Sequence, residues 1–267
     1  MIKSGTNILK EHKKKTLEFN PKIKQINFLD NRVYERKENL YYPSVTSILQ
    51  YMPKNRFFEQ WLKETGPYAD FIMQRAAREG TQVHNAIEKL VEGETIEWMD
   101  SYGQALYDQK VWEMILKFVD FWNTYKPTLL KVEEFVYSDK YHYAGAVDLV
   151  VEVDKEVYMI DIKTSNHIHK SYDLQLAAYK QAWEELGYEK IDKTGVLWLK
   201  SKKRGPSRKK EVIQGAGWEL ACTDDPKKDF QLFQNIYTLY KLENPETKPI
   251  YKSYPTVINL NISDEAI

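Results

Sequence analysis

Apolar residues recur along this chain with two different periods, and the change between them divides it. Over residues 67–93, Ile72, Ala76, Val83, Ile87 and Leu90 fall on one stripe at helical spacing. This predicts a long amphipathic helix, with Gly80 marking a break or kink. A second helix is predicted over residues 104–125, burying Val111, Ile115, Phe118, Trp122 and Tyr125 and ended by Lys126-Pro127. The period then drops to two. Residues 130–137, 142–153 and 157–163 read as three consecutive strands. A helix follows over 172–186, with Ser171 as its N-cap and Gly187 as its stop. Residues 194–200 and 211–223 read as two more strands, and roughly 227–242 as a closing helix before Pro245. Ahead of all these, residues 1–42 are polar, with Lys13-Lys14-Lys15, and contain a hairpin of 25–28 with 33–36 around Asp30-Asn31. Tyr42-Pro43-Ser44-Val45-Thr46 opens a short helix that Ser44 caps. Helices on an extended sheet, with a crossover helix between strands, argue for a layered α/β domain.

Composition narrows the class. At 267 residues the chain suits a single domain, and 42% hydrophobic with 29% charged residues is ordinary for a water-soluble globular protein. No apolar run reaches the roughly 18 residues that crossing a bilayer needs, so no membrane role is expected. The start, Met1-Ile2-Lys3-Ser4-Gly5-Thr6, lacks the apolar stretch of a signal peptide. One cysteine, Cys222, excludes a disulfide framework and any cluster held by four thiolates of one chain, hence an iron–sulfur cluster. A cytoplasmic setting is expected. The net charge is zero, so a nucleic-acid partner has to be held by local basic patches.

The candidate chemistry sits on residues 142–163. With Asp154-Lys155 as a two-residue turn, Val153 pairs with Glu156, and the same register sets Asp148 opposite Asp161. Alternation puts Val147, Leu149, Val151 and Val153 on one face with Tyr158, Ile160 and Ile162, an apolar face that must be core. The other face presents Asp148, Asp161 and Lys163. Two carboxylates directly opposed, roughly 5 Å apart, repel each other, and a cation between them reverses the sign. Oxygen-rich sites of this kind suit Mg²⁺ or Mn²⁺. A solvated sheet face bearing ordinary charges is the alternative, which the opposed aspartates and the apolar reverse face count against.

Three motifs in order carry a resemblance: Gly145-Ala146-Val147-Asp148, then Ile160-Asp161-Ile162-Lys163-Thr164-Ser165, then Gln175-Leu176-Ala177-Ala178-Tyr179. Together they resemble the PD-(D/E)XK nuclease superfamily, and most closely its RecB-type branch, which includes the mitochondrial genome maintenance exonuclease and phage-encoded exonucleases. Gly80-Thr81-Gln82-Val83-His84 looks like that branch's histidine motif, and Pro43-Ser44-Val45-Thr46 like its lead-in. The resemblance implies a restriction-endonuclease-like core, a central mixed β-sheet flanked by helices, with N-terminal helical additions. In that arrangement residues 1–66 are an N-terminal extension, 67–127 a helical part carrying the histidine, 128–223 the catalytic sheet and 224–267 a C-terminal helix and tail of one domain. It implies Asp148, Asp161 and Lys163 as the catalytic set. Metal ligands would be Asp148, Asp161, His84 and the Ile162 carbonyl. Gln175 and Tyr179 would line a DNA path, beside Thr164 and Ser165. The iron–sulfur members need four cysteines, and this chain departs from them.

Other residues are open to two readings. An acidic ligand on the strand before the hairpin could be Glu133 or Glu134, and alternation does not choose; Val132-Glu133 resembles the family's strand more and favours Glu133. Glu88, a helical turn beyond His84, reads as a surface residue. Lys202, Lys203, Arg204 and Arg208 crowd a hairpin tip that is either a solvated loop or a phosphate clamp. His167 and His169 read as solvated loop histidines. The expected activity is Mg²⁺- or Mn²⁺-dependent hydrolysis of DNA, as an exonuclease on single-stranded ends in repair, recombination or phage DNA processing, in a bacterial or phage-infected cell. A structure-specific endonuclease, or an inactive nucleic-acid-binding protein of the same fold, are the alternatives.

Overall fold

The computed structural model describes residues 23–28, 31–201 and 217–249. Lys202, Lys203, Arg204 and Arg208, with most of the expected hairpin tip, lie outside the described residues. Two sheets are present among them. Strands β1 (Lys24–Phe28), β2 (Asn31–Lys37) and β3 (Leu40–Pro43) form a small antiparallel sheet. The main sheet runs β4 (Thr128–Ser138), β5 (Tyr143–Val153), β6 (Glu156–Lys163), β7 (Lys193–Ser201) and β8 (Gly217–Cys222), in that spatial order. Only β6 and β7 pair in parallel, because helix α5 (Lys170–Glu185) crosses between them. The result is a mixed α/β fold of the restriction-endonuclease-like kind.

Helices cover both faces of the main sheet. On one face α3 (Tyr68–Val91) and α4 (Gln109–Tyr125) pack Val83, Ile87, Ile115, Phe118 and Phe121 onto Leu149, Val151, Ile160 and Leu197. On the other, α1 (Val45–Leu49), α5 and α6 (Pro226–Glu243) pack Ile48, Leu176, Trp183 and Phe233 onto Val150, Met159 and Val196. A third cluster, Ile23, Tyr34, Tyr42, Tyr137 and Ala144, joins the small sheet to β4 and β5. Helix α2 (Arg56–Thr65) lies in the segment expected only as an extension and buries no residue.

Local chemistry explains the element ends. Ser44 caps α1, its side chain accepting from Ser47 N–H at 2.9 Å. Asp154 and Lys155 both take positive φ, 51° and 71°, which a two-residue hairpin turn requires, and Val153 pairs with Glu156 as the sequence predicts. Gly187 follows α5 at φ +75° and stops it.

Three expectations are corrected. Gly80 does not break α3, which runs through it; the glycine instead admits a neighbour, since a Cβ there would lie 3.2 Å from Thr164 Oγ1. Helix α4 starts at Gln109, not 104, because residues 98–107 form their own turn, with Leu106 N–H bonded to Trp98 O. Helix α5 starts before Ser171, with His169 at the cap position. The two cores make unequal demands on the exposed helices. Phe118→Ala empties a fully buried site and is expected to cost about 3–5 kcal/mol in urea unfolding. Phe57→Ala on α2, a ring 75% exposed, is expected to stay within about 0.5 kcal/mol.

Candidate active site

The site forms where β4 and β5 lose regularity together. Val132 pairs with Leu149 and Glu134 with Val147, but between them Glu133 turns to φ +48°. Holding a non-glycine residue there costs about 1–3 kcal/mol, and such strain collects at functional positions. Across from it the alternation of β5 breaks: Val147 packs on the α5 side with Val150, whereas Leu149 packs on the α3 side. The expectation that Val147 shares a face with Leu149 is therefore overturned. Regular pleating would point Glu133 and Asp148 along a face set by their neighbours; the kink frees both to turn toward α3.

There they meet His84. One ligand atom from each of His84, Glu133 and Asp148 lies within 4.8 Å of the others. His84 Nε2 is 3.0 Å from Ile162 O, so its N–H donates to that carbonyl. The same bond leaves Nδ1 facing Asp148 Oδ1, at 3.7 Å. Asp148 Oδ2 accepts Ile162 N–H at 2.7 Å. The Ile162 peptide thus orients both side chains with its two ends. Glu134 points elsewhere, accepting from the Tyr188 hydroxyl at 2.7 Å. Glu88, read from the sequence as a surface residue, is half-buried and adds its charge to the group.

Asp161 stands beside this group and faces α5. It is 2% exposed. Its Oδ1 accepts from Lys163 Nζ and from Gln175 Nε2, both at 2.9 Å. Its Oδ2 lies 2.8 Å from the same ammonium, which pairs with both carboxylate oxygens. Gln175 also donates to the Tyr179 hydroxyl at 3.2 Å. Gln175 and Tyr179 are 7% and 4% exposed, so neither ring nor amide offers a surface for a base to stack on. Both are buried behind Asp161. Tyr179 packs so closely on Gly145 that a Cβ there would fall 2.2 Å from the ring. Tyr172, three residues before Gln175 on the same helix face, lies under Lys163 Nζ at 4.9 Å from its ring centre. It was not singled out from sequence, although its spacing from Gln175 and Tyr179 is a readable signal. Thr164 and Ser165 follow in the loop, Ser165 donating to His167 O at 2.7 Å.

The electrostatics follow from burial. Desolvation, then Asp148 and Glu88, push the Glu133 carboxyl well above the usual carboxylate range. Burial raises Asp161 too, against the pull of Lys163. Burial alone would lower Lys163, but Asp161 and Asp148 outweigh it, and the ammonium is held above its ordinary value. A divalent cation fits these donors. Three side chains able to ligate converge, two of them carboxylates that repel, and a third carboxylate, Asp161, is buried beside them.

A family model for the PD-(D/E)XK nuclease superfamily matches residues 56–250, well over half of the chain. The chain belongs to this superfamily. A comparison with curated proteins gives no match. Among solved structures, a protein of Eubacterium rectale provisionally named an exonuclease is 11% identical, with a TM-score of 0.39, over 64% of this chain and 70% of that one. The family assignment rests on the sequence match. Members of this superfamily are nucleases that use divalent metal ions, so this chain is a nuclease with an acidic cluster suited to such an ion. No helix among the described residues is long and apolar enough to cross a membrane.

Two predictions follow from this geometry. Glu133 is raised on folding, so protons stabilise the metal-free fold: that stability is full below the ordinary carboxylate pKa and is lost as pH rises through the folded value. A divalent cation needs the ionised carboxylates, so Mn²⁺ should raise Tm more at pH 8 than at pH 6, read by thermal melts against chelator. Second, Gly145→Ala drives Tyr179 off its site and should destabilise by about 1–3 kcal/mol in denaturant unfolding, with Gln175 displaced from Asp161.

Proposed function

We propose that this protein is a metal-dependent deoxyribonuclease, an exonuclease acting on single-stranded DNA ends, with Asp148, Asp161 and Lys163 as its catalytic set. The observation that carries the reading is the convergence of His84, Glu133 and Asp148 beside a buried Asp161 that Lys163 and Gln175 hold. His84, Glu133, Asp148 and Asp161 would hold Mg²⁺ or Mn²⁺, with the Ile162 carbonyl alongside. When bound, the ion supplies Lewis-acid stabilisation of phosphate charge and activates water.

The chain's own groups have separable tasks. Ile162 fixes the rotamers of His84 and Asp148 through its carbonyl and N–H. Lys163 is kept protonated by Asp161 and Asp148, so it serves as a fixed donor and positive charge for water or phosphate, not as a base. Gln175 holds Asp161 Oδ1 from behind and also accepts from Lys163 at 3.4 Å. Single-stranded DNA is favoured by exposed rings on the helical arm ahead of His84: Phe57, Tyr68 and Phe71 are all more than half exposed. Arg56 precedes them and Arg75 and Arg78 follow. Rings flanked by cations suit unpaired bases and their phosphates.

Asp161→Asn is expected to abolish Mg²⁺-dependent cleavage of end-labelled DNA; retained cleavage overturns the catalytic assignment. Circular single-stranded DNA should resist the wild-type protein while the linear form is degraded. Cutting of the circle would instead establish an endonuclease.

A further inference from the structure

Strand β2 lies over β4 in step, and the match extends to the metal site. Arg36 sets its guanidinium 4.3 Å from the centre of the Tyr137 ring. Two residues earlier, Tyr34 meets Phe135 edge to face at 6.0 Å. Two residues earlier again, the positions are Arg32 and Glu133. Side chains at 32, 34 and 36 share one face of β2, since successive residues alternate. Tyr34 is fully buried on that face, so Arg32 is carried toward the body of the protein, not away from it. Its charge acts on Glu133, and it hydrogen-bonds the Tyr34 hydroxyl, which itself donates to Gln25 at 2.9 Å.

The strand is anchored four residues beyond Arg32. Arg36 makes a two-pronged pair with Asp139, with both contacts at 2.9 Å, and Tyr42 of β3 donates to the same carboxylate. Arg32 itself remains exposed. It is thus an exposed guanidinium held at the rim of a half-buried acidic cluster. A cation in the cluster would take over the neutralisation of Glu133 and leave the N–H donors of Arg32 that Tyr34 does not use available to a phosphate.

We propose that Arg32, supplied by the N-terminal sheet, binds a phosphate of the nucleic-acid substrate at the metal site. This rests on the nuclease reading above, and it gives the small sheet a part in the active site that the sequence motifs do not assign. The ligand class is a phosphodiester or a terminal phosphate of a single strand.

Binding separates this proposal from the reading it rests on. Fluorescein-labelled dT20 is titrated by anisotropy at several KCl concentrations, in the Asp161→Asn background with Mg²⁺ and again in chelator. Arg32→Ala should weaken binding with Mg²⁺ roughly tenfold and reduce the slope of log Kobs against log[KCl] by about 0.7, the share of one phosphate on a single strand. Arg32→Lys should keep the slope and lose part of the affinity. In the active protein, Arg32→Ala should lower kcat/KM on linear single-stranded DNA by roughly ten- to a hundredfold, and saturating Mn²⁺ should not restore it. Because Arg32 is exposed, the melting temperature should not move. An unchanged salt slope, or full recovery at saturating Mn²⁺, overturns the proposal and leaves Arg32 as a counter-charge to Glu133. Absence of Mg²⁺-dependent cleavage by the wild-type protein would sink the nuclease reading instead, while the chelator and salt titrations still decide whether Arg32 holds a phosphate.

Discussion

Like charges drawn out of water are expensive to keep together. Glu133 and Asp148 meet at a kink that two strands share, with Glu88 near and Asp161 buried beside them. Much of the surrounding structure bears on that repulsion. The Ile162 peptide donates to Asp148 and accepts from His84, Lys163 and Gln175 hold Asp161, and the positive charge of Arg32 acts on Glu133. The left-handed φ of Glu133 is the local cost of bringing its carboxylate to the α3 side. A regular strand would relieve that strain and scatter the group.

The site also joins two cores. His84 comes from α3, whose neighbours Val83 and Ile87 pack on one face of the sheet. Gln175 and Tyr179 come from α5, on the opposite face. Asp148 and Asp161 sit between these layers on adjacent strands. This position lets two interior strands be served by polar groups from both faces of the sheet. It also ties the geometry of the site to the packing of helices on opposite faces of the sheet.

Much of this was legible in the sequence. The turn at Asp154-Lys155 and the pairing of Val153 with Glu156 follow from hairpin length and apolar alternation, and the helical periods locate α3, α4, α5 and α6. The kink at Glu133 and Asp148 was not legible, because alternation assumes a regular pleat and no glycine or proline flags the break. For the same reason Val147 was set on the wrong face. The fate of Gln175 and Tyr179 was hidden for another reason: a helical stripe gives a shared face but not what covers it. Arg32 carried no signal, since its meaning depends on how one sheet is laid over another more than 100 positions away in the chain.

Tyr179 against Gly145 shows how such a layered site would behave under mutation. No side chain fits at Gly145, since the ring already occupies the place of its Cβ. The ring is linked through Gln175 to Asp161. A survey scoring only catalytic output would therefore rank this glycine with the acidic residues, although it has no functional group and meets no substrate. Intolerance at a position measures how rigidly the chemistry is braced as well as where it takes place. In this fold the bracing passes from a backbone hydrogen atom on β5 to an aspartate on β6.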